Sequence, residues 1–352
     1  MKTSKEKLYY DKQYNCDLIL LDGLWGCGKT LFNLPISSLS GLEDGTIEEF
    51  FESIIYLESL EKIEKNTASF LIENSLDFIF HKSLLGRCSN MRFNDDTGFK
   101  NSTNKLERIR RLFRSEEKSL DPKVIKDKGL VFMTHNIGCS PFFITDLLKE
   151  RLYLIEIMRH PVHIFTHIAT YFGRFDAKRE KTVSFYYKNK KMPWFYKDFV
   201  ELIDIDEENP NNKAVEYIYY CYLKTWDNIK TLQVNKFNIF QISMEQFAVE
   251  TDFHLNQISN FLSRSKSKYT QKALKKARLP RKYIHNGHAS KNEYFGWNKS
   301  NLDNKEYYLE VFNKIYSKID GKYKSMFNEI IDLYDEKFPS IISEYAQLVN
   351  NV

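Results

Sequence analysis

The chain has 352 residues, of which 42% are hydrophobic and 28% are charged, and its net charge is +5. This composition is typical of an ordinary soluble globular protein, and we find no low-complexity stretch and no internal repeat. Tyr and Phe are abundant (22 and 27 residues) while Gly and Pro are scarce (13 and 8), which favours a helix-rich protein over an all-β one. No nucleic-acid-binding motif is present, so we expect no nucleic-acid partner.

The cysteines and the N-terminus bear on the compartment. The five cysteines are odd in number and lack the spacing of a metal site, which favours a reduced compartment. The N-terminus is charged and has no apolar signal region. The sequence has no stretch of about 18 apolar residues, so we expect no transmembrane segment. We therefore expect a cytoplasmic protein. The cysteines are Cys16, Cys27, Cys88, Cys139 and Cys221.

The first predicted element is a short apolar strand over residues 18–21, which runs directly into a glycine-rich loop. The loop reads Gly-Leu-Trp-Gly-Cys-Gly-Lys-Thr and a predicted helix follows it, as in the G-x-x-x-x-G-K-[ST] phosphate-binding pattern. Glycines let successive N–H groups point at an anion, and the start of a helix adds unpaired donors. We predict that this loop binds a phosphate through Gly23, Gly26, Cys27, Gly28, Lys29 and Thr30.

Helical periodicity dominates the next segment, from about residue 40 to 125. This segment has a capping-box spacing at Thr46 and Glu49, and it contains a basic helix over residues 105–113. A continuous apolar run predicts a buried parallel strand over residues 129–133, and two further strands are predicted over residues 152–158 and 238–242. The helices predicted between and after them cover residues 142–150, 161–172, 215–232 and 252–262.

Two stretches are less regular. Residues 174–212 are polar, with Pro193 and Pro210 as predicted breakers, and we expect them to be irregular. From residue 263 the chain is first basic and then forms two amphipathic helices, with Trp297 expected in the core.

The alternation of strands and helices predicts an α/β fold. Its central sheet is parallel with right-handed crossovers, in a three-layer arrangement of the P-loop type. We expect one domain over residues 1–352, with a helix-rich insertion at about 40–125 and a helical C-terminal extension at about 264–352.

Polar residues follow the later strands at their carboxyl ends, where ligands bind in sheets of this kind. They are Thr134-His135, Arg159 and the turn from Ser243 to Glu245. A P-loop kinase or ATPase normally places an Asp at the end of a second strand to hold Mg²⁺, and none of these three strands ends in Asp. The pattern therefore argues against metal-dependent nucleotide hydrolysis.

Taken in order, these motifs resemble the sulfotransferase family. The resemblance covers the glycine loop, Thr134-His135, the sequence from Arg159 to Pro161 and the turn around Glu245, within residues 17–263. It implies a P-loop-type fold and 3′-phosphoadenosine 5′-phosphosulfate (PAPS) as the sulfuryl donor. The chain departs from the family in its loop, where the positive charge lies at Lys29.

The resemblance implies a role for each site residue. The glycine loop would bind the 5′-phosphosulfate and Arg159 the 3′-phosphate. His167 stands where the family commonly has a Ser that helps to hold the 3′-phosphate. Arg281 and Lys282 resemble the basic segment that closes over the donor.

Chemical reasoning adds two catalytic roles. An imidazole can take a proton near neutral pH, so His135 is the predicted base that activates the attacking hydroxyl. Lys29 would stabilise the charge that develops on the leaving phosphate. The acceptor would be a small molecule or a glycan, and a saccharide or glycolipid hydroxyl is our interpretation.

Two alternatives stay open. Lys29 is compatible with a P-loop kinase that uses ATP and Mg²⁺, and the loop could also be a nucleotide site in a protein that is not an enzyme. His163 and His167 have an i, i+4 spacing that can bind zinc, but no third ligand accompanies them, so we predict no metal site. The sequence does not indicate an oligomeric state.

Overall fold

The fold is taken from a computed structural model, which describes residues 8–87, 90, 98–102, 104–174, 183–285 and 301–339. Cys88 and Trp297 lie outside these ranges. None of the helices in the described ranges is both long enough and apolar enough to cross a membrane.

A parallel sheet of four strands lies at the centre of the fold, in the order β2-β1-β3-β6. A separate antiparallel hairpin is formed by β4 and β5. The predicted α/β architecture with a central parallel sheet is therefore confirmed. The strands are β1 (Asp17–Asp22), β2 (Gly129–Met133), β3 (Leu152–Met158), β4 (Ser184–Tyr187), β5 (Lys190–Pro193) and β6 (Ile239–Ser243).

The sheet register brings the strand ends together. β1 is buried almost throughout, which explains its continuous apolar run, since both of its faces are covered. Leu21 of β1 is opposite Met133 of β2, and Asp22 is opposite Glu156 of β3. Met158, the last residue of β3, is opposite Ser243 of β6. The segments that follow these strands therefore meet along one edge of the sheet.

Fourteen helices are described around the sheet. α1 packs against β1 and β2, whereas α8, α9, α13 and α14 pack against one another. The helices are α1 (Lys29–Ser37), α2 (Glu49–Ser59), α3 (Lys65–Leu84), α4 (Lys105–Phe113), α5 (Glu116–Ser119), α6 (Pro122–Ile125), α7 (Phe142–Leu148), α8 (Pro161–Phe172), α9 (Pro210–Val234), α10 (Met244–Val249), α11 (Thr251–Phe261), α12 (Thr270–Ala277), α13 (Asn304–Tyr316) and α14 (Gly321–Lys337).

The stretch predicted to be irregular contains regular structure. The β4–β5 hairpin turns at Lys188 and Asn189, both with positive φ (45° and 63°), so its turn contains no glycine that would have signalled it. Pro210 does not break a helix but begins α9. Proline is tolerated at this position because the first helical N–H has no intrahelical partner, and the Asn209 side chain caps the helix by accepting from the Asn211 N–H.

Candidate functional site

The glycine loop has the strand–loop–helix arrangement that its pattern requires. Gly23, Gly26 and Gly28 all have positive φ, at 140°, 81° and 103°, and Gly28 is the N-cap of α1. At Gly26 a side chain is also excluded by space, since an added Cβ would lie 2.6 Å from Cγ of His167. These conformations favour glycine, and they place the start of α1 at the loop.

Lys29 lies inside this loop. Its ammonium group donates to the carbonyl oxygens of Gly23 and Leu24, both at 2.9 Å, and lies 3.5 Å from Sγ of Cys27. Burial raises the pKa of the Cys27 thiol and the Lys29 charge opposes that rise, so the thiol is neutral near pH 7. Thr30 is exposed in the first turn of α1. The loop thus brings one cation to the predicted phosphate position.

His135 follows β2 and lies beside the loop. Its Nδ1 is 3.1 Å from Oε1 of Glu52 on α2, and its ring stacks with that of Trp25 at a centroid distance of 5.8 Å. The Tyr56 hydroxyl donates to the His135 carbonyl oxygen at 2.8 Å. When Nδ1–H donates to Glu52, Nε2 carries the lone pair that can accept a proton. We call this pair the His135–Glu52 dyad.

Sequence reasoning did not identify Glu52. The signal was a carboxylate among the apolar positions of an amphipathic helix: Glu52 is only 6% exposed and follows the buried Phe51. A buried carboxylate requires a partner. That partner is 83 positions away along the chain, so local patterns could not name it.

Arg159 connects the end of β3 to the loop. Its Nη1 donates to the Gly26 carbonyl oxygen at 2.7 Å, and its Nε is 4.0 Å from Oε1 of Glu245. Burial lowers the pKa of Arg159, and the Glu245 charge opposes that effect. The guanidinium is therefore a buried cation at the edge of the glycine loop.

Glu245 is the carboxylate that balances this cation. It accepts hydrogen bonds from the His160 main-chain N–H at 3.1 Å and from the Tyr334 hydroxyl at 2.9 Å, and His163 Nδ1 lies 3.1 Å away. Burial alone would raise the pKa of Glu245, but the hydrogen bond and charge of His163, together with the charge of Arg159, lower it to about 2. Glu245 is therefore ionised at neutral pH.

His163 and His167, the predicted i, i+4 pair, are both uncharged at neutral pH. Burial lowers the pKa of His163 to about 4, although its bond to Glu245 opposes the effect. Burial and the charges of Arg159 and Lys29 lower the pKa of His167 to about 3. His167 packs against Gly26, so it touches the loop without adding a charge. Within the described ranges, no group of three or more His, Cys, Asp or Glu side chains has an arrangement that could hold a metal ion.

Arg281 supplies a second guanidinium. Arg281 is half-buried, and burial, then the charges of Arg159 and Arg278, lower its pKa to about 10. Its Nη1 donates to the Ile284 carbonyl oxygen at 3.2 Å, while its Nε is buried without a hydrogen-bond partner. Lys282 instead lies over the Tyr283 ring, at 4.9 Å from the centroid.

Two buried carboxyl groups lie beneath the loop. Asp22 accepts from the Thr134 hydroxyl and from the Gly138 N–H, both at 2.8 Å, so each of its oxygens is engaged. Burial and the Asp22 charge raise the pKa of Glu156 well above its usual range, so Glu156 is neutral. Asp22 thus holds the segment after β2 that carries His135.

No family model and no curated protein sequence matches the chain. Among solved structures, the chain is similar to the sulfotransferase domain of the olefin synthase from Synechococcus PCC 7002. The two share 12% identity with a TM-score of 0.42 over 94% of this chain and 97% of that one. It is also similar to the sulfotransferase STF9 from Mycobacterium avium, with 10% identity and a TM-score of 0.37 over 87% of this chain and 77% of that one. Likeness at this level assigns neither a family nor an activity to the chain.

Proposed function

We propose that the protein transfers a sulfuryl group from PAPS to a hydroxyl acceptor. One observation carries this proposal: a glycine loop with an internal lysine accepts a hydrogen bond from the buried Arg159 guanidinium at Gly26, and its Trp25 stacks with the imidazole of the His135–Glu52 dyad. In this proposal the loop and the Arg159 region each bind one anion, and His135 is the base. PAPS has two separate phosphate positions, whereas ATP has no 3′-phosphate.

The charges of the site fit such a donor. Arg159 and Arg281 lie close enough to lower the pKa of Arg281, and an anion between them would relieve that repulsion. The buried Nε of Arg281 has no hydrogen-bond partner, so it is a donor that a phosphate oxygen would satisfy. The loop N–H groups and Lys29 would hold the 5′-phosphosulfate, and the two guanidiniums the 3′-phosphate.

When bound, the donor supplies a sulfuryl group whose departure leaves negative charge on the 5′-phosphate. Lys29 and the loop N–H groups stabilise that charge. His135 accepts the proton of the attacking hydroxyl at Nε2, and Glu52 balances the imidazolium that results. Oδ1 of Asp22 accepts from the Thr134 hydroxyl and so holds the residue before His135 in place.

Aromatic side chains beside the dyad support a small-molecule or glycan acceptor. The Trp25 ring stacks with Tyr171 at 4.5 Å and with Tyr217 at 5.8 Å, and it meets Phe195 edge-on at 5.2 Å. Tyr171, Tyr217 and Phe195 are buried, so Trp25, which is only partly buried, is the ring of this group that an acceptor ring would meet. A saccharide or glycolipid hydroxyl is the acceptor we favour.

The second candidate function is that of a kinase that uses ATP and Mg²⁺. Lys29 supports it, because this residue occupies the position of the P-loop lysine. Titration calorimetry separates the two. We expect adenosine 3′,5′-bisphosphate, the desulfated donor, to bind in the presence of EDTA more tightly than ATP binds with Mg²⁺. Preference for ATP with Mg²⁺ would refute the sulfuryl-transfer proposal.

Turnover is tested with ³⁵S-labelled donor and a panel of hydroxyl acceptors. We expect His135→Ala to abolish transfer while the bisphosphate still binds. If His135→Ala leaves the protein's function intact while Lys29→Ala destroys nucleotide binding, the loop is a nucleotide site in a protein that is not an enzyme.

A further inference from the structure

Helix α4 has its apolar side turned to the solvent. At about 100° per residue, its four large apolar side chains span an arc of about 120°. Leu106 is 64% exposed, Ile109 42%, Leu112 62% and Phe113 85%. We call these four residues the α4 apolar face. Four such side chains on one side of a nine-residue helix form a patch, in contrast to apolar residues scattered singly over a surface.

Ion pairs on the inner side of α4 fix this orientation. The Arg111 guanidinium donates to the two carboxylate oxygens of Glu43 at 2.6 and 2.9 Å, and Arg108 Nε lies 2.9 Å from Asp44. Burial alone would raise the pKa of Glu43, but Arg111 lowers it to about 2. Turning the apolar face inward would take the Arg111 guanidinium away from both oxygens of this buried carboxylate, which is unfavourable.

A group of lysines lies next to the α4 apolar face. The Lys276 ammonium donates to the Lys100 carbonyl oxygen at 2.5 Å, and burial, then the charges of Lys105, Lys100 and Lys272, lower the pKa of Lys276. Lys105 belongs to α4, and its position on the helix falls within the arc of the apolar face. We call Lys100, Lys105, Lys272 and Lys276 the lysine cluster. Asp44 is the acidic group that faces it, and Arg108 already engages Asp44.

We propose that the α4 apolar face and the lysine cluster form a docking surface for an anionic lipid bilayer. A helix with basic residues beside its apolar side binds at the boundary between headgroups and acyl chains. The mutual repulsion of the lysines would be relieved by anionic headgroups. A second copy of this chain is a poorer occupant, because it would bring the same lysines and a net charge of +5 to the contact. This surface is independent of the proposed sulfuryl transfer.

Co-sedimentation of the full chain with lipid vesicles tests the proposal. We expect binding to vesicles of equal parts phosphatidylserine and phosphatidylcholine, weaker binding to phosphatidylcholine alone, and a decrease with added salt. Lys272→Glu with Lys276→Glu should weaken binding at least about twentyfold, since each lysine contributes about fivefold. Leu112→Ser with Phe113→Ser should weaken it at least about tenfold.

Matched controls lie at the other edge of the sheet, where α9 ends before β6. Val234→Ser removes an apolar side chain that is 75% exposed, and Lys230→Glu with Lys236→Glu makes the same change of charge. We expect these variants to bind vesicles like the wild type, and all variants to have wild-type melting curves.

Three results would overturn the proposal. Equal binding to both vesicle types would exclude recognition of anionic lipid. Vesicle binding that the α4 and lysine variants leave unchanged would place it elsewhere on the protein. A dimer in sedimentation velocity that Phe113→Ser dissociates, without vesicle binding by the wild type, would assign the surface to a second copy of the chain.

Discussion

Arg159→Ala tests whether the second anion position recognises a 3′-phosphate. Arg159 is buried, and its guanidinium contacts include the Gly26 carbonyl oxygen at 2.7 Å and Glu245 at 4.0 Å. A hydrogen bond to a charged group contributes about 1.5–3 kcal/mol. Loss of the guanidinium should therefore weaken adenosine 3′,5′-bisphosphate binding by roughly 10- to 150-fold. The Glu245 charge that is left without its cation would add to the loss.

Removing the 3′-phosphate from the ligand and the guanidinium from the protein tests the same contact from both sides. Titration calorimetry compares the bisphosphate with adenosine 5′-phosphate, which lacks the 3′-phosphate, in the wild type and in Arg159→Ala. We expect the wild type to prefer the bisphosphate and the variant to lose that preference. Arg278→Ala, which removes an exposed arginine near Arg281, should preserve it. Equal weakening of both ligands in Arg159→Ala would refute the assignment, because the residue would then act only by holding the loop.

Three further changes test the dyad, the buried charges and the loop. Glu52→Gln should lower kcat at least about a hundredfold with little change in KM, measured by labelled transfer, and unchanged turnover would exclude the dyad. Glu245 and His163 have pKa values lowered to about 2 and about 4, so the unfolded chain binds more protons, and stability should fall as the pH drops from about 6.5 towards 2. Urea unfolding across this range should show a progressive loss of stability, and Glu245→Gln should flatten the part below about pH 4.5. Gly23 has a φ of 140°, and the Cβ that Gly23→Ala adds would collide with a main-chain carbonyl oxygen of β3. This variant should lower the free energy of unfolding in urea by at least about 3 kcal/mol. Gly321→Ala, which has open space around it, should be neutral or stabilising.

The sheet and the loop could be predicted because their signals are local. Most of β1, β2 and β3 is apolar and buried, and the loop is defined by glycines at fixed spacing before Lys29. Local cap signals were less reliable. The capping box at Thr46 and Glu49 was a wrong prediction: the Thr46 hydroxyl donates to the Glu48 carboxylate at 2.9 Å, and α2 begins at Glu49 without a side-chain cap. The Thr46 hydroxyl bonds to a side chain two positions away instead of capping the helix.

The rest of the site depends on contacts between distant parts of the chain. Arg159 and Arg281 are more than a hundred residues apart, and only packing brings their charges together. The periodicity of residues 105–113 predicted a helix, and α4 covers that range. Periodicity does not say which side faces inward, however. The side of α4 that faces inward is determined by the ion pair between Arg111 and the buried carboxylate of Glu43.

The hydrogen bond from Tyr334 to Glu245 has a consequence for how ligand affinity should be interpreted. Tyr334 belongs to α14, near the end of the described chain, yet it helps to hold the carboxylate that balances Arg159. A ligand anion that competes with Glu245 for Arg159 would change the free energy with which α14 packs on the rest of the protein. By thermodynamic reciprocity, the packing of α14 changes the ligand's affinity by the same factor. The C-terminal helix α14 thus shares in determining the affinity of a site whose glycine loop is about 300 residues earlier in the chain.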